Sequence, residues 1–347
     1  MKRVILVLVW AMIGVTGSGQ QQIRNLVMEG GGIRGIAYIG ALQVLDSNGI
    51  LANLERVGGT SAGSIQATLL AVGYTPDEMH YHLMETSFGK LNDGALFGLP
   101  GFIRLTREKG WYKGTALRTW IAGLIANKTG NGEMTFRQLN AQKQSFGNKD
   151  LYITATDLTH QRLLVFSHET FPDMKIADAV RISASIPFYY KPVWINAQGN
   201  TFDSPENITG LSMVVDGGLI ANYPIKIFDS TRYIASYTSE NKPIRNLETI
   251  GLELVDPDLM NVESRYINPN IAIRSNNDYV KAIYHLMLDK TAYDLDRTIS
   301  ISNCDISSRV RSLKEHTVYD LVVSGRTSAE KFIEEMHKAV VNSSTGK

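Results

Sequence analysis

The 347-residue chain contains one cysteine, Cys304, so no disulfide can form within a single molecule. It also lacks an excess of charge of either sign, because 35 basic and 34 acidic residues leave a formal net charge of +1. Such a chain generates no strong field towards a polyanion, which argues against nucleic-acid binding. Its histidines and acidic residues show no spacing typical of a calcium or zinc site. We therefore expect neither a metal nor any other cofactor.

The chain also has no apolar run as long as the roughly 20 residues that a transmembrane helix needs. The apolar residues 4–15 follow Lys2 and Arg3 and precede the small residues 16–19, as in a secretory signal peptide. We interpret residues 1–19 as a signal peptide, with an uncleaved anchor as the alternative. The sequence thus predicts an exported protein, periplasmic or secreted, whose domain comprises residues 20–347.

Alternating strand and helix patterns in the rest of the chain predict an α/β fold with a mostly parallel sheet. Residues 23–28 predict a short buried strand and residues 54–57 the next one, and residues 36–45 between them have helical periodicity. Further strands are predicted at 151–156, 163–166, 213–215 and 250–255. The part after about residue 227 is expected to be mostly helical, with a capping box at residues 327–330 beginning the last helix.

A G-x-S-x-G pentapeptide follows the strand at 54–57 and leads into a helical pattern. Its residues are Gly59, Thr60, Ser61, Ala62 and Gly63. A serine at a sharp strand-to-helix turn is exposed for attack, and the glycines allow the chain to pass closely. The pattern predicts Ser61 as a nucleophile. A glycine-rich turn with an ordinary serine has the same sequence pattern and is the alternative.

A second glycine-rich loop follows the strand at 23–28. It contains Gly30, Gly31, Gly32, Arg34 and Gly35. The spacing matches G-x-G-x-x-G, so a dinucleotide site is one interpretation, but that site needs an acidic residue at the end of the second strand, and Glu55 lies at its beginning. The alternative is an oxyanion hole, because residues without side chains let backbone N–H groups approach a tetrahedral intermediate. Since adjacent parallel strands bring both turns to one edge of the sheet, we favour the oxyanion hole.

The base for Ser61 is predicted to be Asp216, which follows a short strand and is followed by Gly217 and Gly218. A Ser-Asp-His triad is the competing arrangement, with His285, His316 or His337 as the third member. These histidines lie in helical or highly charged segments, and those at 80, 82, 160 and 168 come in the wrong order. We favour a dyad.

In this order and spacing, the glycine loop, the pentapeptide and Asp216 with its two glycines resemble the patatin-like phospholipase family. Residues 183–187 and 222–224 are similar to family segments as well, and the resemblance covers about residues 23–227. It implies a patatin-like three-layer sandwich and a lipid acyl hydrolase without a metal. Ser61 would be the nucleophile, Asp216 the base and the glycine loop the oxyanion hole.

The resemblance also implies a lipid acyl ester as substrate, at a membrane or micelle surface. Phospholipids, lysophospholipids, glycolipids and neutral glycerides are all used within the family. A non-catalytic binding protein of the same fold is the remaining alternative.

Two further features are predicted to serve the site. Arg34 is expected to hold the oxyanion loop or to meet an anionic head group, with a solvated surface charge as the alternative. Residues 96–103 are interpreted as an apolar loop, broken by glycine and proline, that contacts lipid with Arg104 and Arg107 nearby. Its candidate contacts are Leu96, Phe97, Leu99, Phe102 and Ile103. A loop packed into the core is the alternative.

Overall fold

A nine-stranded sheet lies at the centre of the computed structural model, which describes residues 22–94, 99–147, 149–234, 242–257, 260 and 294–344. The strands are β1 (Asn25–Met28), β2 (Arg56–Gly59), β3 (Gly110–Tyr112), β4 (Asp150–Asp157), β5 (Arg162–Phe166), β6 (Phe188–Tyr190), β7 (Val193–Ile195), β8 (Thr201–Phe202), β9 (Ser212–Asp216), β10 (Thr249–Val255) and β11 (Thr298–Ser302). β3 and β6 pair in a separate parallel ribbon, and the other nine form the central sheet.

The central sheet has the order β11-β10-β1-β2-β4-β9-β7-β8, and β5 pairs with β4 outside this path. The first five strands are parallel, whereas each pair that involves β5, β7, β8 or β9 is antiparallel. Met28 at the end of β1 lies beside Gly59 at the end of β2. The predicted mostly parallel sheet is therefore confirmed, and the turns after β1 and β2 leave the same edge.

Helices pack against this sheet. They are α1 (Tyr38–Ser47), α2 (Ile50–Asn53), α3 (Ala62–Ala71), α4 (Pro76–Met84), α5 (Leu99–Glu108), α6 (Thr115–Thr129), α7 (Phe136–Gln142), α8 (Ile176–Ser183), α9 (Gly218–Ala221) and α10 (Glu315–Ser344), and a 3-10 helix (Gly32–Ala37) precedes α1. Within the described residues, no helix is both long and apolar enough to cross a bilayer.

Both faces of the sheet are covered. Side chains alternate between the two faces along a strand, so Leu26 and Met28 of β1 lie on one face and Val27 lies on the other. Leu26 and Met28 belong to the large core cluster formed with the longer helices. Val27 packs in a smaller cluster with Tyr152 and with residues 223–228. This is the three-layer α/β arrangement that the family resemblance implies.

The C-terminal part differs from the predicted one in two respects. β11 adds a parallel edge strand beside β10, although the apolar pattern does not indicate it. The last helix, α10, begins at Glu315 and continues through residues 327–330, so the predicted capping box there is wrong.

Close packing of α10 against α1 explains why the chain stays helical there. A Cβ added at Gly325 would lie 1.9 Å from the carbonyl oxygen of Ala37, and one at Gly40 would lie 1.8 Å from that of Val322. The two backbones touch at these glycines, and Ala329 one turn further on is fully buried. Tertiary contact therefore overrides the local capping signal.

Candidate active site

The pentapeptide forms a sharp turn between β2 and α3, with Ser61 immediately before the helix. Ser61 has φ 51° and ψ −118°, a conformation that residues with a side chain rarely adopt. Its backbone N–H donates to Ser183 Oγ at 2.9 Å, and its carbonyl oxygen accepts from the N–H of Ser64 at 3.0 Å. The turn thus holds Ser61 in a strained conformation through contacts on both sides.

The two outer glycines of the pentapeptide are required by close approach. A Cβ at Gly63 would lie 2.2 Å from the carbonyl oxygen of Met28, and one at Gly59 would lie 2.4 Å from the carbonyl carbon of Gly63. Any side chain at either position would push β1, β2 and α3 apart. The spacing of the motif therefore reflects the packing of this turn.

Thr60 ties the turn to β4, the strand that pairs with the aspartate-bearing β9. Its Oγ1 lies 2.5 Å from Thr154 Oγ1 and donates to the carbonyl oxygen of Ala221 at 2.9 Å. Thr154 lies in the middle of β4, and nothing in its sequence context indicates this role. Ala62, the next member of the motif, begins α3 and lines the cleft described below.

The glycine loop lies directly beside Ser61. A Cβ added at Gly30 would lie 3.2 Å from the Cβ of Ser61. The N–H of Gly30 donates to the carbonyl oxygen of Asn222 at 3.0 Å, whereas the N–H groups of Gly31 and Gly32 have no acceptor among the described residues. These two free donors stand at the start of a helical turn, where an oxyanion can be bound.

Arg34 braces this loop from within. Its Nε donates to the carbonyl oxygen of Gly31 at 3.1 Å, and its backbone N–H donates to the same oxygen at 3.3 Å. Gly35 lies against the start of α3, since a Cβ there would be 3.0 Å from the Cβ of Ala62. The loop and the serine turn are therefore packed as one unit.

A residue that the sequence patterns do not single out, Glu29, anchors the loop from below. Its carboxyl group accepts from Asn222 Nδ2 at 2.8 Å and from the N–H of Leu254 at 2.7 Å. Burial, reinforced by the charge of Glu253, raises the pKa of Glu29 to about 8. Asn222 Nδ2 also donates to the carbonyl oxygen of Gly30 at 3.1 Å. Asn222 thus joins Glu29 to the loop. The sequence marks Asn222 only as part of residues 222–224, which resemble a segment of the family.

Asp216 reaches the site from the opposite direction to β2. Asp216 is the last residue of β9, which runs antiparallel to β4. It pairs with Ala155 of β4, whereas Gly59 pairs with Ile153, two residues earlier in β4. This register brings Asp216 level with Ser61, which lies two residues beyond Gly59. Gly217 packs against Thr154, because a Cβ there would be 2.6 Å from its Oγ1.

The Asp216 carboxyl group is almost fully buried, and its two oxygens differ. Oδ1 accepts from the N–H of Gly218 at 2.8 Å. Oδ2 is buried without a hydrogen-bond donor in the described part of the chain. Burial raises the pKa of Asp216 to about 7, against smaller opposing effects of the Gly218 N–H and the nearby Ser61 hydroxyl. A carboxyl group with one unpartnered oxygen beside a strained serine can act as a base near neutral pH.

The described histidines form other contacts. His160 Nδ1 bonds to Asp157 Oδ2 at 2.8 Å, and His168 lies 3.8 Å from Asp150 Oδ1. His337 lines a separate cavity with residues 22 and 23. No described histidine forms a hydrogen bond with Ser61 or Asp216, and His285 lies outside the described residues.

Glu55, the acidic residue that a dinucleotide site would require, lies before the first residue of β2, at the amino end of the strand. It forms ion pairs with Arg24 and with Arg56 Nη1, the latter at 3.2 Å. Within the described ranges no group of three histidine, cysteine or acidic side chains could hold a metal ion.

A narrow apolar cleft opens beside Ser61. Its cavity volume is about 60 Å³, well below the roughly 300 to 1,000 Å³ of common ligand pockets. Its walls include Ile65, Phe88, Leu117, Trp120, Ile186 and Val310. Two larger cavities, of about 410 and 400 Å³, contain none of the predicted site residues. The walls suit an acyl chain, which would have to widen the cleft.

The apolar segment at 96–103 is only partly an irregular loop. Leu96 and Phe97 lie outside the described residues, and α5 begins at Leu99 and includes Phe102 and Ile103. The interpretation as a loop is therefore wrong for residues 99–103. Pro100 lies in the first turn of α5, where a helix tolerates proline because the N–H would be unpaired. The lipid contacts stay a prediction.

The neighbouring Arg104 also differs from the expectation of an interfacial cation. It is buried and donates to the carbonyl oxygens of Trp111 at 2.6 Å and Gly94 at 2.9 Å. Its charge therefore holds the end of α5 against β3. Arg107 is exposed.

Comparisons with known proteins bear on the family and the fold. Residues 26–229 match the family model described as patatin-like phospholipase. The protein YqhO of Bacillus subtilis is 36% identical over 59% of this chain and 67% of its own length. The protein R571 of Acanthamoeba polyphaga mimivirus is 30% identical over 79% of this chain and 90% of its own length. The crystal structure of VipD from Legionella pneumophila has a similar fold, with a TM-score of 0.55 at 17% identity over 91% of this chain and 67% of that one.

Proposed function

The chain belongs to the patatin-like phospholipase family, a membership that supports lipid ester hydrolysis, and we propose that it is a serine lipid acyl hydrolase with a Ser61–Asp216 dyad. The observation that carries the proposal is the buried Asp216 Oδ2, which has no donor among the described residues and lies near the hydroxyl of a strained serine. An unpartnered buried carboxylate oxygen is costly for folding, so a role in catalysis gives a reason for it.

In the first half of the reaction, Asp216 takes the proton of the Ser61 hydroxyl while Oγ attacks the ester carbonyl carbon. The carbonyl oxygen becomes an oxyanion, which accepts hydrogen bonds from the N–H groups of Gly31 and Gly32. The positive end of the α3 dipole adds to this stabilisation. When the intermediate collapses, Asp216 returns the proton to the leaving alcohol and an acyl-enzyme remains on Ser61.

In the second half, a water molecule attacks the acyl-enzyme and gives its proton to Asp216. Collapse of the second intermediate releases the fatty acid, and the proton returns to Ser61 Oγ. Arg34 keeps the Gly31 peptide oriented throughout, because it holds the carbonyl oxygen of that residue. No metal enters either step.

The apolar cleft would hold the acyl chain, and its walls offer no charge for a head group. The proposal therefore covers phospholipids, lysophospholipids and neutral glycerides, presented by a membrane or micelle. We extend it to residues 96–103 as a lipid contact and to residues 1–19, which lie outside the described residues, as an export signal.

Labelling with a fluorophosphonate probe tests the proposed function. We expect the probe to modify Ser61, identified by peptide mass mapping, and to leave Ser61→Ala unlabelled. Ser212→Ala, a serine on β9 outside the site, should label like the wild type. A wild-type protein that is folded but neither labels nor hydrolyses any acyl ester would be a non-catalytic member of the fold.

A further inference from the structure

A segment without regular structure lies across the entrance of the cleft. Residues 306–313, called here the basic strap, are part of the connection between β11 and α10. The carbonyl oxygen of Ser308 accepts from the N–H of Ile33 at 3.4 Å, and that of Val310 accepts from Asn92 Nδ2 at 3.0 Å. Val310 itself lines the cleft. The strap is therefore attached to the glycine loop on one side and to the cleft wall on the other.

Both ends of the basic strap are anchored in the core, and its middle is exposed. Ile306 and Leu313 pack against the main hydrophobic cluster. Between them the strap carries two charged residues, Arg309 and Arg311, and both are cationic and exposed. Neither forms an ion pair with any described residue. The acidic residues Asp305 and Glu315 lie outside the strap, so all charged side chains of the strap itself are positive.

The strap has a basic neighbour on the cleft wall. Lys90 is exposed in the short helix Phe88–Leu91, whose residues Phe88 and Leu91 line the cleft. Lys90 likewise forms no ion pair with a described residue. Within the described residues, three cations without an ion-pair partner therefore lie on the two segments that border the cleft, in a chain with a net charge of only +1.

An exposed aromatic side chain stands on the same rim. Phe188 is 66% exposed and has φ 66°, a left-handed conformation that is strained for a bulky residue. In the sequence it lies between Ile186, which lines the cleft, and Tyr189, whose hydroxyl donates to Asn92 Oδ1 at 2.8 Å and lies 3.5 Å from the carbonyl oxygen of Val310. A strained backbone that holds a phenyl ring in water is unfavourable for an isolated molecule, so a contact outside the chain would explain it.

We propose that the basic strap and Phe188 form a docking surface for an anionic lipid bilayer around the entrance of the cleft. The inference rests on the proposed function, since it assigns the surface that brings Ser61 to its substrate. The cations are attracted to the negative surface while the phenyl ring inserts among the acyl chains. The enzyme would then prefer membranes rich in acidic phospholipids, although nothing in the cleft itself selects a charged head group.

The test measures vesicle binding in a Ser61→Ala background, so that the lipids stay intact. Vesicles of phosphatidylcholine alone are compared with equimolar phosphatidylcholine and phosphatidylglycerol. R309Q/R311Q should bind the anionic vesicles about 25-fold more weakly, since each basic residue near such a surface contributes about fivefold. This difference should shrink at high salt, which screens exposed charges.

A charge-matched control is K331Q/K338Q on α10, which removes two positive charges about 24 Å or more along the helix from Glu315, at 1.5 Å rise per residue. It should bind anionic vesicles as the parent does. Phe188→Gly removes the ring and relieves the strained backbone, so we expect an unchanged or higher melting temperature together with weaker binding to both kinds of vesicle.

With Ser61 intact, R309Q/R311Q should hydrolyse a short soluble ester at the wild-type rate. Equal binding of R309Q/R311Q and K331Q/K338Q to anionic vesicles would overturn the proposal. A change of oligomeric state in R309Q/R311Q with unchanged vesicle binding would also overturn it and assign the surface to a second copy of the chain. Because binding is read without catalysis, a failure of the proposed function would show separately, as absent ester hydrolysis.

Discussion

At the scale of single residues, the site contains two groups held in unfavourable states. Ser61 has a strained backbone, and Asp216 is buried with one oxygen lacking a donor in the described structure. Such states persist only where the surrounding contacts impose them. Here those contacts are the close approach of Gly63 to Met28 and the packing of Gly217 against Thr154. The fold thus accepts a loss of stability that keeps the Ser61 hydroxyl beside the Asp216 carboxyl group, as the proposed dyad requires.

The raised pKa of Asp216 predicts how activity depends on pH. The base works in its ionised form, so kcat/KM for a neutral soluble ester should rise about tenfold per pH unit below 7 and level off above it. A pH–rate profile measures this directly. A rate that is flat from pH 5 to 8, or that falls as pH rises, would contradict the assignment.

The same shift predicts a change of stability with pH. Between pH 3.8 and about 7, folded Asp216 keeps a proton that the unfolded chain releases, so its contribution is fully present below pH 3.8 and lost as pH rises to 7. Asn does not titrate. The melting temperature of Asp216→Asn relative to the wild type should therefore increase from pH 4 to pH 7, and a constant difference would mean that the pKa of Asp216 is not raised.

Arg34 allows a second prediction about a single residue. Arg34→Lys loses the planar group whose Nε holds the Gly31 carbonyl oxygen, and a hydrogen bond from a charged group contributes about 1.5 to 3 kcal/mol. We expect kcat on a soluble ester to fall by roughly 10- to 100-fold with little change in melting temperature. Arg107→Lys, an exposed arginine on α5, is the control. Unchanged turnover in Arg34→Lys would reduce Arg34 to a solvated charge.

At the scale of elements, the contact between α1 and α10 decides the shape of the C-terminal part. Gly325 would normally gain about 0.5 to 1 kcal/mol on replacement by alanine, because glycine disfavours a helix. Here the new Cβ would lie 1.9 Å from a backbone oxygen of Ala37. We expect Gly325→Ala to lower the free energy of unfolding, as measured by urea denaturation.

Gly123 in α6 provides the matched control, because a Cβ there meets nothing within 4 Å. Gly123→Ala should be stabilising. If both substitutions were stabilising, the helices could separate at no cost, and the account of why α10 stays unbroken would be wrong.

The elements also show what a sequence can and cannot predict. The strands at 25–28, 56–59 and 150–157 have their ends within two residues of the predicted ones, because the turns that bound them are local signals. The capping box at 327–330 wrongly predicts a helix start, because it depends only on neighbouring residues. The contact with α1, which keeps α10 continuous there, involves residues distant in sequence. β11 is missed, since its alternation of threonine, isoleucine and serine is typical of many exposed segments.

The site likewise contains residues that the sequence indicates and residues that it does not. Ser61, Asp216 and the glycine loop carry short motifs, and the adjacency of β1 and β2 follows from one βαβ unit. The antiparallel entry of β9 depends on the order of strands distant in sequence, so it could not be predicted. Glu29, Thr154 and Ser183 act through partners elsewhere in the chain, and no local pattern marks them.

At the scale of the whole molecule, the balanced net charge and the cations of the basic strap together predict how the protein is oriented at a lipid surface. A net charge of +1 gives no general attraction to acidic membranes, so orientation at a lipid surface has to come from local groups. The strap and the apolar cleft lie at the same opening, which would align the proposed attraction to lipid with the proposed catalysis.

The proposed export of the molecule predicts a processed N-terminus. Protein recovered from the medium or the periplasm should begin near residue 20, because the small residues 16–19 suit a signal peptidase. N-terminal sequencing decides the matter. Full-length protein retained in membranes would support the uncleaved anchor instead.

The central claim, a Ser–Asp dyad, is tested most directly by kcat/KM for one lipid ester across Ser61→Ala, Asp216→Asn and the double variant. The account predicts that each single variant loses nearly all activity and that the double variant loses no more, because the two residues act as a unit. Replacing His285, His316 and His337 together by Gln should leave most activity in a folded protein. A histidine variant as inactive as Ser61→Ala, or an Asp216→Asn variant close to wild type, would contradict the dyad.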